Sequence, residues 1–381
     1  MRVFTRRTLG VAAALALPAT ALAVPPVIDG LNIPTEFGAG ALVYTQPWQT
    51  QFGDDTDNTQ FGGGSELDAL YIRQVGVNLY VGITGNLENN GNCMVMYFDT
   101  SPTDGQNPLF TRNTGGPIAG LPRCIAGNAG NGGLNNVTFD AGFSPNYAIS
   151  ISGGSPIGSQ TRTYYLLNLT HFPTGADATN QILGLVTTGD PTASGPTPGT
   201  LSNFWPGSAS QGVLCGVDNT NAAGVAGSSG DPLPDPNAGT AVSGLEFRIP
   251  LGLIGLSSNS NYCLFAWVSG SDGYASNQLI PAPAPSATFT FFRNIGNPDF
   301  GSPAGAFNFA DDVAYPGQQF LCFTTRCVGD LNGDGRTDES DLGILLSAWQ
   351  ANGNGDLDGD GLTNESDLGI LLADWQCAPP A

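Results

Sequence analysis

Oxygen-bearing side chains recur at one fixed spacing near the C-terminus. Asp330-Leu-Asn332-Gly-Asp334-Gly335 returns 26 residues later as Asp356-Leu-Asp358-Gly-Asp360-Gly361. Ser340-Asp341-Leu-Gly-Ile-Leu-Leu346, then Trp349-Gln350, returns as Ser366-Asp367-Leu-Gly-Ile-Leu-Leu372, then Trp375-Gln376. A hard divalent cation such as calcium takes six to eight oxygens, and a twelve-residue loop delivers them from positions 1, 3, 5, 7, 9 and 12. In the first loop these are Asp330, Asn332, Asp334, the carbonyl of Arg336, Asp338 through water, and Asp341. The second supplies Asp356, Asp358, Asp360, the carbonyl of Leu362, Asn364 and Asp367. Gly335 and Gly361 fall at position 6, where the chain must turn sharply. An acidic loop that simply stays solvated is the plain alternative. Duplication of every oxygen and of the turning glycine argues instead for two calcium ions.

Each loop needs a helix to hold its last ligand. Leu342, Leu345, Leu346 and Trp349 fall at i, i+3, i+4 and i+7, one apolar helical face, and Leu368, Leu371, Leu372 and Trp375 repeat it. Residues 328–377 also hold 11 of the 32 carboxylates, so the composition changes where the repeat begins. These 50 residues resemble the type I dockerin domain, with paired EF-hand-like calcium loops, a helix after each, and Asp at position 12. The resemblance implies docking onto a cohesin-type partner, usually in polysaccharide-degrading assemblies. Positions 10 and 11, which contribute to partner choice in dockerins, are Glu339-Ser340 and Glu365-Ser366 instead of the familiar Ser-Thr pair. Their identity in both repeats permits two symmetry-related docking modes. The module's ends should lie close together, which makes a Cys327–Cys377 disulfide the first choice among the possible pairings.

Upstream, residues 24–326 show short β-branched or aromatic runs between Gly, Asn, Pro and Asp clusters, the signature of strands. Such runs are 79–84, 93–98, 147–152, 163–167, 245–249, 262–268 and 287–292; one helical turn fits 249–255, and the Gly/Pro/Ser/Asn-rich stretches 101–135 and 189–240 read as surface loops. The fold class expected is mainly β: an antiparallel β-sandwich followed by a small α-helical, EF-hand-like domain. Gly244-Leu-Glu246-Phe-Arg-Ile249-Pro250-Leu-Gly-Leu-Ile-Gly255 resembles an edge motif of family 9 carbohydrate-binding modules and DOMON domains. Asn78-Leu-Tyr80-Val-Gly-Ile and Val95-Met-Tyr-Phe98-Asp99 resemble their paired strands. Gln51-Phe-Gly-Asp54, Gly64-Ser-Glu66-Leu-Asp68-Ala-Leu-Tyr71, Thr84-Gly-Asn86-Leu-Glu88 and Phe139-Asp140-Ala-Gly-Phe143 are similar to a family of secreted planctomycete-type proteins, a likeness that implies no particular activity.

A polysaccharide ligand is therefore expected for this domain. Sugars stack on exposed aromatic faces, and Trp48 and Trp205, each beside Pro in a loop-like segment, are the ligand-binding candidates, with plain packing as the alternative for each, whereas Trp267 lies in an apolar run and reads as core. The acidic stretch Asp54-Asp55-Thr-Asp57-Asn58 has no recognised ligand spacing. Catalysis finds little material. Two-carboxylate glycosidases need an acid of raised pKa facing a second carboxylate, and among Glu36, Glu66, Glu88 and Glu246 no such pair stands out. His171 is the single histidine, and no G-x-S-x-G elbow accompanies it.

Charge removes further classes. All eleven basic residues are Arg, and the net charge is −21. So acidic a chain is repelled by nucleic acid and by anionic membranes, and without Lys it has no Schiff-base chemistry. Residues 1–23 carry Arg2, Arg6 and Arg7, an apolar run from Leu9 to Leu17, and Ala21-Leu22-Ala23, the form of a cleavable signal peptide. No later run is long and apolar enough to span a bilayer. The mature chain is thus expected to be secreted, at the cell surface or in a periplasm, where its seven Cys, none in C-x-x-C spacing, would pair with at least one left over. The function expected is a non-catalytic carbohydrate-binding or assembly component linked to polysaccharide use. The alternatives are a glycan-active hydrolase and a structural cell-envelope protein.

Overall fold

The computed structural model describes residues 15–16, 25–52, 64–88, 90–113, 116–127, 133–154, 164–187, 209–221, 223–225, 227, 230–271, 273–296, 307–351 and 353–378. The leader expected over 1–23, apart from Leu15–Ala16, lies outside the described residues, as do Trp205 and the acidic stretch 54–58. Fifteen strands follow in chain order: β1 (Leu15–Ala16), β2 (Leu42–Thr45), β3 (Glu66–Val75), β4 (Asn78–Asn86), β5 (Cys93–Asp99), β6 (Arg112–Asn113), β7 (Gly116–Pro117) and β8 (Tyr147–Gly154). The remainder are β9 (Tyr164–His171), β10 (Thr179–Thr187), β11 (Leu214–Val217), β12 (Gly244–Pro250), β13 (Asn261–Ser269), β14 (Ala275–Ile280) and β15 (Leu321–Thr324). Helices are few and short: α1 (Ile33–Phe37), α2 (Arg123–Ala126), α3 (Glu339–Ser347) and α4 (Glu365–Ala373).

The chain is mainly β, with two large sheets. One has the order β1-β15-β13-β5-β8-β9-β10, with β14 also on β13; the other runs β11-β12-β4-β3-β2. Pairing is antiparallel apart from the two-residue β1–β15 contact. Alternation decides which side chains meet. Met94, Met96 and Phe98 of β5, and Tyr262, Leu264 and Ala266 of β13, share one buried cluster with Leu79, Val81 and Ile83 of β4 and Leu245, Phe247 and Ile249 of β12. The two sheets therefore face each other across a common core. The opposite side chains of the larger sheet, Val95, Tyr97, Phe265 and Trp267, are buried as well, beneath Leu109, Ile125, Phe139, Phe143, Phe292 and Phe309.

That second core corrects two expectations. Segment 101–135 is a cover in its described parts, because Leu109, Cys124, Ile125 and Leu134 are buried on the larger sheet and Cys93–Cys124 ties the cover to β5. Run 287–292 is irregular; Phe289 and Phe292 turn onto Trp48 instead of entering a ladder. Stretch 189–240 likewise holds more than loop, since β11 forms an edge of the smaller sheet against β12. The outer face of β3 and β4 is covered by α1, with Ile33 and Phe37 packed on Ala69, Tyr71 and Tyr80. Gly82 permits that approach, because a Cβ there would stand 2.6 Å from Ile33 Cγ2.

The C-terminal module sits on the β3–β4 turn and β12. Val77 N donates to Leu357 O at 3.1 Å, Asn78 Nδ2 to Asp358 O at 3.0 Å and Arg248 Nη1 to Gly359 O at 2.6 Å. Gly76, with φ +51°, leaves room for the Leu357 backbone. Asp374 closes the other side, accepting from Ser258 Oγ at 2.6 Å and Gly329 N at 2.8 Å. Hydrogen bonds from charged donors contribute roughly 1.5–3 kcal/mol each. Arg248→Ala should therefore loosen the module by about that amount, speeding amide exchange at Val77 while exchange in β5 and β13 stays as in wild type.

Candidate functional site

The two duplicated loops fold alike. Asp330 Oδ1 accepts from Gly333 N and Asp334 N at 2.7 and 3.1 Å, and its Oδ2 accepts from Gly335 N at 2.8 Å. Asp356 repeats this with Gly359 N, Asp360 N and Gly361 N at 2.7, 3.1 and 2.9 Å. At position 12, Asp341 accepts from Leu331 N, Asn332 N and Asp338 N, and Asp367 from Leu357 N, Asp358 N and Asn364 N. Both position-12 carboxylates are fully buried.

Helix capping explains why position 12 is fixed so firmly. Asp338 and Asn364 are the N-caps of α3 and α4, accepting from Ser340 N and Ser366 N, while Asp341 and Asp367 return a bond to the N-cap amide. This is a reciprocal capping box. Asp341 and Asp367 thus close the loop and start the helix with one side chain. The D/N-x-x-D spacing carried that signal, although the ligand count alone did not reveal it.

A second pair of residues was not apparent from ligand spacing. Thr337 and Thr363, at position 8, are fully buried. Thr337 exchanges backbone bonds with the end of the second repeat, donating to Cys377 O and accepting from Gln376 N, and Thr363 does the same with Ala351 and Gln350 beyond α3. Each loop is therefore stitched to the exit of the other helix. Leu345, Leu357 and Leu371 form the small core between them, with Leu342, Trp349, Leu368 and Trp375 around it. Leu346 and Leu372, assigned by periodicity to the inner face, are instead 52% and 53% exposed. So small a pair of nine-residue helices cannot cover four apolar positions each. Cys327 and Cys377 are bonded. In the chain-entropy account, closing a span of 50 residues restricts the unfolded chain by about 4 kcal/mol.

The donor set suits a hard cation. Oxygens of Asp356, Asp358 and Asp367 lie within 4.8 Å of one another, and Asp334, Asp360 and Leu362 line exposed parts of the loops. Arg336 N and Leu362 N donate to Asp334 Oδ1 and Asp360 Oδ1, which holds the chain on its approach to position 7 in the same way in both loops. Burial raises the pKa of Asp330, the Gly335 and Gly333 amides lower it, and the charges of Asp341 and Asp334 raise it again. Asp358 is raised by burial and, after relief from the Asp360 amide, by Asp367, Asp360 and Asp356. A cation among these groups would remove the repulsion. The grouping of Cys327 and Cys377 with Asp374 is no thiolate site, because the two sulfurs form the disulfide.

In the sheets, Trp48 must be corrected. Its ring is fully buried, its Nε1 donates to Pro283 O at 2.6 Å, and Phe289 packs edge-on at 5.7 Å. An indole with no exposed face offers no platform to a sugar; it belongs to the cover of the larger sheet. Trp267 is core as expected. His171 Nε2 lies 2.9 Å from Asp104 Oδ2 and the ring stacks on Tyr147, so the imidazole pins a loop. Cys215 is free and buried beside Glu246.

Comparison with protein-family models, with curated proteins and with solved structures finds no match to the chain.

Glu246 holds the N-terminal segment onto the smaller sheet. Its Oε2 accepts from Asp29 N at 2.9 Å and Gly30 N at 2.6 Å, and burial outweighs those donors and lifts its pKa to about 8. Relative to the ordinary 4.5, the stability contributed by this group is complete below about 4.5 and lost as pH rises through about 8. Glu246→Gln keeps an acceptor and never ionises. Thermal melts should show it near wild type at about pH 4.5 and more stable than wild type at about pH 9, by up to a few kcal/mol at roughly 1.4 kcal/mol per pKa unit. Identical pH dependence of the two proteins would refute this role.

Proposed function

We propose that the chain is an assembly protein whose C-terminal repeat, of dockerin type, binds two calcium ions and docks a cohesin-type partner, while its β-sandwich, of carbohydrate-binding type, engages polysaccharide without cleaving it. The observation that carries this reading is the identical ladder of amide bonds converging on positions 1 and 12 of both loops. That ladder leaves carboxylate oxygens crowded at the loop centre, where an oxygen-ligated cation fits the donor chemistry. Asp330, Asn332, Asp334, Asp338, Asp341 and the Arg336 carbonyl would hold one ion; Asp356, Asp358, Asp360, Asn364, Asp367 and the Leu362 carbonyl would hold the other. Calcium supplies charge neutralisation here, and the chain supplies the geometry that closes α3 onto α4. Glu339, Ser340 and Leu346, with Glu365, Ser366 and Leu372, are exposed at matching places on the two helices, which supports two equivalent docking faces. Export of the chain fits both polysaccharide and partner.

Isothermal titration of calcium into metal-free full chain tests the reading. Asp330→Ala combined with Asp356→Ala should lower the number of ions bound by two, and chelation of wild type should reduce helical signal from 339–373 while the sheets remain folded. Uptake unchanged by the double substitution refutes the loop assignment.

A further inference from the structure

Three further carboxylates meet far from the loops. Oxygens of Glu66 and Asp68, at the start of β3, and of Asp235, in the segment before β12, lie within 4.8 Å of one another, and all three residues are buried. Asp68 is fully buried, and neither of its carboxylate oxygens has a hydrogen-bond partner among the described residues. Asp235 Oδ2 is buried and unpartnered in the same sense, whereas its Oδ1 accepts from Asn237 N. Asp341 and Asp367 differ, because both oxygens of each collect backbone amides, and Glu246 meets amides with one oxygen.

The backbone is shaped to make this convergence. Leu67 pairs with Gly85 and Ala69 with Thr84, so Asp68 is the extra residue of a bulge. Bulges re-aim side chains and recur beside functional sites. Gln46 N donates to Asp68 O at 2.6 Å, and Gln46 adds another buried, unpartnered oxygen, Oε1. Asp235 N is tied to Pro47 O at 2.8 Å, which brings its loop to the same corner. The charges that act on Asp68 are those of Glu66 and Asp235, both of like sign.

We propose that Glu66, Asp68 and Asp235 bind a divalent cation of calcium type, clamping the 230–237 segment to β3. An all-oxygen, carboxylate-rich donor set selects a hard cation over zinc or copper, which favour nitrogen and sulfur. One ion meets the unsatisfied oxygens of Asp68 and Asp235 together. It is independent of the loop ions and belongs to the sheets.

The test uses the full chain carrying Asp330→Ala and Asp356→Ala, so that the loops are silent. Native mass spectrometry from calcium-containing buffer should show one ion retained, and adding Asp68→Asn should remove it. Calcium about a hundredfold above its Kd should raise the melting temperature of the sheets by about 5–10 °C over the chelated protein. Asp68→Asn should abolish that response while preserving the near-ultraviolet dichroism of the buried tryptophans. No retained ion and no calcium-dependent melting in the loop-silent chain overturns the proposal even if that variant behaves well, as does a response to zinc with none to calcium. Failure of the loop assignment would show differently, as unchanged uptake between wild type and the loop-silent chain.

Discussion

Carboxylates outnumber cationic side chains thirty-two to eleven, and none of the cations is lysine. The rest of the structure answers to that imbalance. Two like charges about 4 Å apart repel by about 4 kcal/mol at an effective dielectric near 20, and a desolvated carboxylate needs compensation that arginines are too few to give. The Arg293–Asp231 ion pair and the His171–Asp104 hydrogen bond lie at the surface. Inside, backbone amides meet the carboxyl groups instead: Ser144 N donates to Asp99, Gln319 N to Asp140, and Asp29 N with Gly30 N to Glu246.

Using amides in this way places demands on the chain. An N–H aimed at a carboxylate is withdrawn from a ladder, so the segments that supply it must turn and loop, and 54 glycines make such turns accessible. In the C-terminal repeat the same device is concentrated, with six amides on each pair of position-1 and position-12 carboxylates. Those six amides fix the orientation of both carboxylates in each loop. Capping α3 and α4 with the same side chains links helix formation to loop closure.

What could be read from sequence follows from how local each constraint is. The two loops and the helix after each were legible as structure because the residue pattern is confined to twelve positions and occurs twice. Strands β4, β5, β8, β12 and β13 were legible because each is a compact run of β-branched or aromatic residues bounded by turn residues. Trp48 was misread, since Pro beside an indole marks a loop yet says nothing of the sheet beneath it; its burial depends on Phe289 and Phe292, far along the chain. The bulge at Asp68 was hidden for a related reason. Strict alternation puts Glu66, Asp68, Leu70 and Ile72 on one face, and only the pairing of Leu67 with Gly85 and Ala69 with Thr84 separates the acids from Leu70 and Ile72. Asp235 comes to them through tertiary contact that no local pattern encodes.

Duplication in sequence does not survive as equivalence in the fold. The second loop gives Leu357 O, Asp358 O and Gly359 O to Val77, Asn78 and Arg248. Those three consecutive carbonyls lie within the run from Asp356 to Asp360 that carries the first three candidate ligand positions, so the segment that would wrap an ion is already held by the sheet domain. The first loop, by contrast, is braced through Cys327 and through the Thr337 hydroxyl, which donates to Asp374 Oδ2 at 2.8 Å. Closely similar donor sets thus meet different mechanical surroundings, one anchored directly to sheet backbone and the other braced by the disulfide and by Asp374, which itself accepts from Ser258 Oγ. Part of the entropy of ordering the second loop is met by folding of the sheets, which couples that loop directly to the β3–β4 turn, whereas the first loop meets the sheets through Asp374 and the segment at Val328.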